Sequence, residues 1–154
     1  MEYLALKWLH IVGAALIFGT GLGTAFHSWI TQRREGVAAI AAAARSTVLA
    51  DYLFTLPAVV LQPLTGLALA AMAGYPLAST WIVSALVLYL VAGACWVPVV
   101  FIQVRLRDLA EASARDGSPL APEFARLVRR WTLLGWPAFI AMAATIWLMI
   151  ARPA

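Results

Sequence analysis

Apolar positions in this chain fall into four long blocks, broken by short polar stretches rather than by the one-in-two alternation of a half-buried strand. The blocks run from about Tyr3 to Ile30, Asp51 to Met72, Trp81 to Ile102 and Trp131 to Ile150. Each is close to or longer than the roughly 20 residues that carry a helix across a bilayer core. The pattern predicts an all-α fold, a four-transmembrane-helix antiparallel bundle filling residues 1–154 as a single membrane domain. The first block has no basic leader beyond Lys7 and ends in AFHSWITQRRE rather than in a small-residue cleavage site, so it reads as a retained helix. Connectors are expected at about 31–50, an Ala-rich extension or short helix, and at about 103–130, a polar stretch broken at Gly117 to Pro122 with short helices on either side. Between the second and third blocks AGYPLAST makes a tight, uncharged turn.

Composition agrees with lipid as the solvent: 64% of residues are hydrophobic and only 12% charged. A net charge of +4 could suggest nucleic acid, but the arginines collect between apolar blocks, where they set topology instead. Arg33, Arg34 and Arg45 lie in the first connector. Arg105, Arg107, Arg115, Arg126, Arg129 and Arg130 lie in or beside the last, and the middle turn has none. The positive-inside rule therefore puts both connectors in the cytoplasm and both termini on the periplasmic side of a bacterial inner membrane. The single cysteine, Cys95, excludes an intrachain disulfide and a thiolate cluster.

The candidate chemistry begins with the two histidines, His10 and His27, both on the first span. Seventeen residues separate them, about 25 Å along a helix, so one bound group cannot use both within one subunit. Lys7, His10, Ala14, Ile17, Gly21 and Thr24 form one stripe of the first helix, expected to turn inward because lipid offers its polar members no partner. Asp51, Thr55, Ala58, Gln62 and Thr65 form a matching stripe on the second, which carries Pro57 and Pro63. His10 then has two readings: structural glue, bonded to Gln62 or to a carbonyl freed by a proline, or an axial ligand to haem iron or another metal. The residues alone favour the first. His27, beside Ser28, Trp29 and Gln32, reads as an interfacial ring, with Asp51 at the same level to pair with it or with Arg34. Gly19 and Gly23 form a small-xxx-small pair, thinned further by Gly13 and Gly21, that invites close helix approach or a flat ligand. Trp81, Trp131, Trp136 and Trp147 fit an aromatic belt; Met72, Met142 and Met149 read as packing residues, with Met72 and Met149 on the side of His10.

Lys7-x-x-His10, the glycines 19, 21 and 23, Asp51 with Pro57 and LQPLTG, Trp81 with Leu88 and Tyr89, Gln103-x-x-x-Arg107-x-Leu109-Ala110, and the ending Trp147-Leu148-Met149-x-x-Arg152-Pro153 are shared features. On them the whole chain resembles the bacterial predicted integral membrane proteins of domain-of-unknown-function family 2269. More distantly, Lys7-x-x-His10 is similar to HemJ-type protoporphyrinogen oxidases and copper-resistance D-like membrane proteins, whose recurrent theme is haem held by an intramembrane histidine. The HemJ-type pattern has an arginine-containing stretch late in the first span and a later histidine. Here GTAFHSW stands in the first place, and Trp81 to Cys95 holds neither histidine nor lysine. That departure weighs against porphyrinogen oxidation more than against haem binding.

The resulting expectation is haem b, or a similar porphyrin, in the outer half of the bundle. His10 is its axial and metal ligand, Lys7 and Arg152 meet its propionates, and Gln62 belongs to the same site. A homodimer is expected, and binding is favoured over a haem-linked oxidoreductase activity. The alternatives are a small carrier or channel for a metal ion or polar solute, lined by Asp51, Thr55, Gln62, Thr65 and His10, and a structural subunit without cofactor.

Overall fold

A computed structural model describes residues 1–152; Pro153, the last residue of the C-terminal motif, lies outside the described residues. The described chain is helical almost throughout: α1 (Glu2–Arg34), α2 (Val37–Ala50), a π-turn (Asp51–Thr55), α3 (Leu56–Met72), α4 (Thr80–Asp116) and α5 (Pro122–Ala151). α2, the π-turn and α3 follow one another without a break, so the molecule consists of four rods, each long and apolar enough to cross a membrane. They alternate in direction. Met1, Arg152 and the α3–α4 turn lie at one end, the terminal end; the arginine-rich connections lie at the other, the basic end.

Local chemistry sets the breaks. Arg33 and Arg34 close the last turn of α1, where cations suit the helix dipole. Gly117 caps α4 in the left-handed conformation (φ 64°), its N–H bonded to Ser113 O, and Pro122 opens α5. The π-turn stands immediately before Pro57. A proline lacks the N–H and crowds the carbonyl four residues back, and the wider turn, closed by Leu56 N–H to Asp51 O, accommodates that.

Both expected connectors are helical extensions of the spans. α4 has 37 residues and the α2–α3 rod 36, about 55 Å each, against an apolar bilayer core of about 30 Å. The surplus of these rods meets the start of α5 at the basic end around Ile40, Ala41, Leu106, Ala110 and Phe124. Arg105 holds Glu123 by two hydrogen bonds of 2.9 and 3.0 Å, and Arg45 reaches Glu111 at 3.3 Å. The Arg105 hydrogen bond holds the exposed Glu123 carboxyl below the usual carboxylate range.

Within the spans the packing is inverted relative to a water-soluble bundle. Most buried positions are small, among them Ala58, Ala70, Ala85, Ala92 and Ala141, while Trp8, Leu90, Phe101, Ile140 and Ile150 point outward. Lipid is as apolar as leucine, so helices associate through close fit and polar ties rather than by hiding large side chains. In the terminal half α1 packs on α3 and α4 on α5, and the two pairs separate, touching only sparsely. Phe18 and Phe139, with ring centroids 4.4 Å apart, join them near the middle. Tyr89 does so as well, its hydroxyl donating to the Val59 carbonyl. That carbonyl is available because the residue four positions on, Pro63, has no N–H to give it.

Candidate functional site

The splayed helix pairs enclose a cavity of about 550 Å³, open toward the terminal end, within the roughly 300–1,000 Å³ range of small-molecule and cofactor sites. Its walls are mainly apolar. His10 and Gln62 stand on one side, Met142 and Met149 from α5 also line it, and Lys7 and Arg152 belong to the lining too. The structure thus brings together all four residues expected to form the cofactor site. Of the methionines, Met72 instead lies exposed on the outer surface.

His10 is tied to α3 along one edge of its ring. Thr65 Oγ1 donates to the Leu61 carbonyl at 2.8 Å, so its lone pairs are left to accept the His10 Nδ1–H, also at 2.8 Å. This fixes the neutral tautomer with the lone pair on Nε2. The Gln62 amide nitrogen faces that lone pair at 3.4 Å, a long contact. Gly66 lets the ring lie against the helix: a Cβ there would stand 3.0 Å from His10 Cε1. Gly13 does the same for Gln62, whose Oε1 would be 2.6 Å from a Cβ at that position. The carbonyl that His10 could have taken, at Val59, belongs to Tyr89.

At the mouth, the Arg152 guanidinium donates to the Tyr75 hydroxyl and lies 5.2 Å from the centre of that ring, which itself meets Trp81 edge-on at 5.4 Å. Lys7 is exposed and has no ion-pair partner among the described residues. Two cations therefore stand where an amphipathic guest would leave its polar end.

In size, in apolar walls and in the cations of its lining the cavity has what a flat anionic cofactor would need. The Thr65 bond to Nδ1 is the outer-shell arrangement that orients a ligating imidazole. Nε2 faces α3, 3.8 Å from where a Gly66 Cβ would stand, so it reaches the cavity only when the ring turns and the 3.4 Å Gln62 contact gives way. Among the described residues no group of three His, Cys, Asp or Glu side chains could hold a bare metal ion.

The second expected stripe is buried at every position, Asp51, Thr55, Ala58, Gln62 and Thr65. The first turns inward only in part: His10, Ala14, Ile17 and Thr24 are half-buried, whereas Lys7 and Gly21 are exposed. The reason is that α1 lies at the edge of the assembly, buried only at Gly13 and, near the basic end, at Thr31. Gly19, Gly21 and Gly23 have nothing in this chain within 4 Å of a Cβ, so the expected close approach does not occur within the subunit. His27 is exposed.

Asp51 corrects the interfacial reading. It is 5% exposed and pairs with neither His27 nor Arg34; its Oδ1 accepts from Thr55 Oγ1 at 2.9 Å, and the side chains of Gln103 and Trp96 lie beside the carboxyl. The π-turn, packed on α1, and the Gln103 and Trp96 side chains that α4 sends across draw it inside. The polar seam is therefore two clusters, His10–Gln62–Thr65 and Asp51–Thr55–Gln103, with Ala58 between them. The cavity lining reaches Gln62 and includes neither Thr55 nor Asp51.

Tyr89, Gln103 and Trp96 were not legible as site residues. For Tyr89 the signal was Pro63, whose carbonyl four residues back had to find a donor. For Gln103 it was an amide at the end of an apolar run.

No curated protein and no solved structure matches this chain. A family model described as "Predicted integral membrane protein (DUF2269)" matches residues 4–153. With four membrane-length helices around a shared cavity and that match over nearly the whole length, the chain belongs to the DUF2269 family of predicted integral membrane proteins.

Proposed function

We propose that this protein binds haem b, or a porphyrin of the same flat and anionic kind, in the cavity between the α1–α3 and α4–α5 pairs. The observation that carries the reading is a cofactor-sized apolar cavity with an oriented imidazole on its wall and two cations in its lining. His10 would ligate through Nε2 once the ring turns from Gln62 toward the cavity, Thr65 would hold the opposite ring nitrogen, and Lys7 and Arg152 would meet carboxylates at the mouth. Bound haem supplies one-electron redox and small-ligand chemistry at its iron. The chain's own contribution is to hold it, orient it and keep water from it. Binding without catalysis is the form of this reading.

The setting proposed is a bacterial inner membrane with the basic end in the cytoplasm, supported by the arginines gathered there. A cysteine placed at Ser118 is then expected to resist membrane-impermeant labelling from outside intact cells. Labelling from outside would reverse the orientation.

One observation favours a second reading. Both His10 nitrogens face α3, which makes the ring a tie between helices, leaving the cavity to an apolar guest without iron. A carrier path has less support, because the lining stops short of Asp51.

An optical spectrum separates these. The detergent-purified protein, as isolated or after adding haemin, is expected to show a Soret band that His10→Ala abolishes while Gln62→Ala keeps or strengthens it. A colourless protein that takes up no haemin would remove the haem reading, and a band unchanged in His10→Ala would remove His10 as the ligand.

A further inference from the structure

At the basic end of the spans, away from the cavity, three buried polar atoms have no hydrogen-bond partner: Asp51 Oδ2, Gln103 Oε1 and Trp131 Nε1. Asp51 and Gln103 are 5% and 6% exposed, so water at the surface does not serve them. Asp51 lies eleven residues from Gln62, about 16 Å along the rod, which separates this cluster from the proposed cofactor site.

The inventory of donors and acceptors identifies what is missing. An ionised carboxylate only accepts, and so does an amide oxygen; a carboxylic acid has one O–H to donate. Oδ1 is served by Thr55, and the Gln103 and Trp96 side chains stand beside the carboxyl, yet neither Oδ2 nor Gln103 Oε1 accepts a hydrogen bond of good geometry. With the Gln103 amide turned oxygen-first to the carboxyl, a single proton on Asp51 Oδ2 satisfies both.

Charge leads to the same place. The cations on the neighbouring helices are engaged elsewhere: Arg45 with Glu111, Arg105 with Glu123, Arg107 with Asp108, and Arg33 over the Trp29 ring at 4.5 Å. Arg34 and His27 on α1 and Arg129 and Arg130 on α5 are exposed, and no ion pair among the described residues reaches Asp51. An unpaired charge away from water is costly, and the neutral acid avoids that cost. One carboxyl with neutral neighbours is also too little charge for a divalent metal.

Gln103 has a second side. It lines a small cavity of about 30 Å³, room for a water or two, with Ser28, Thr31, Gln32, Thr47 and Trp131. A water there can accept from Trp131 Nε1–H and donate to the second lone pair of Gln103 Oε1. Ser28 donates to Thr47 Oγ1 at 3.3 Å, whose own hydrogen goes to Ala43 O; the rest of the lining is apolar, with Ile40, Ala43, Ala44, Leu106 and Phe124, and it stops short of Asp51.

We propose that Asp51 is a reversible proton-binding site, paired through its Oδ2–H with Gln103. In loading, a hydronium ion gives its proton to Oδ2 and becomes water, one O–H bond forming as another breaks. Unloading is the reverse, and no electron moves.

Infrared spectroscopy of the full chain in lipid nanodiscs tests this at neutral pH, in water and in deuterated water, with choline chloride as the salt. The wild-type protein is expected to show a protonated-carboxyl C=O band that Asp51→Asn loses, that Gln103→Leu moves to higher frequency, and that shifts on deuteration. Raising the pH should remove the band and lowering it should restore it. Asp51→Asn copies the shape of the neutral acid, and the wild-type spectrum decides even if a variant does not fold. Absence of the band overturns the proposal, because the Gln103 amide turned the other way would then serve an ionised carboxylate. A band that never exchanges in deuterated water makes Asp51 a sealed structural acid and overturns the loading. A band extinguished when sodium replaces choline assigns the site to a metal cation instead.

Discussion

Phe124→Ala is expected to cost about 3–5 kcal/mol and to unravel the basic end while the spans stay folded. Phe124 is 5% exposed and packs against Ile40, Ala41, Leu106 and Ala110, where the three helical extensions meet. These extensions project past the apolar core of the bilayer, so water is their solvent and the hydrophobic effect holds them together. Removing the ring forfeits its transfer free energy and leaves a cavity beside Ala110, which is fully buried. Hydrogen exchange in nanodiscs checks it: amides of residues 37–46 and 103–128 should lose protection, and those of the mid-span segments should keep theirs. Phe101→Ala is the contrast. That ring is 70% exposed to what is lipid in a bilayer, and its loss should lie within about 0.5 kcal/mol of wild type. Equal effects from the two rings would show that the extensions do not form a water-facing core.

Gly66→Leu is expected to separate α1 from α3 and to lower the thermal unfolding midpoint in detergent more than any substitution on the open glycine face. A Cβ alone at this position would stand 3.0 Å from His10 Cε1, so alanine asks the ring to yield by a few tenths of an ångström and leucine displaces it. Overpacking costs about 1–3 kcal/mol. Each ring nitrogen stranded by the displacement adds a comparable cost, because the membrane interior offers it no water. Gly21→Leu is the control, with nothing within 4 Å of its Cβ. A midpoint for Gly66→Leu no lower than that of Gly21→Leu would mean that His10 does not tie these helices.

These two sites explain how far the sequence could be read. Four spans follow from hydropathy because the cost of exposing backbone and charge to lipid is paid residue by residue, wherever the rest of the chain goes. The stripe Asp51, Thr55, Ala58, Gln62 and Thr65 was legible for the same reason: a helix must turn its polar face from lipid. What could not be read was the partner each polar group would find. A proline at 63 announces a free carbonyl at Val59, but whether His10 or Tyr89 takes it depends on which helix stands beside α3 at that height. Asp51 looked interfacial by position. Its burial comes from the π-turn that precedes Pro57, from α1 packed on that turn and from the α4 side chains Gln103 and Trp96 beside it.

The polar connectors are a further case. Their charge marks them as wetted by water, yet Ile40, Ala41, Leu106 and Ala110 lie within them at spacings that bury only when three helices converge. Alone, the sequence determined that this chain lives in lipid, crosses it with four helices and collects its arginines at one end, since each of those outcomes is a sum of local transfer costs. The tertiary structure decided that the rods splay at the opposite end to leave a cavity, and that His10 faces Thr65 and Gln62. It also decided that Asp51 meets Gln103. Those are properties of distance between segments far apart in the chain, and close packing in lipid, with little hydrophobic drive to dictate it, is settled by which small residues and free hydrogen-bonding groups happen to meet.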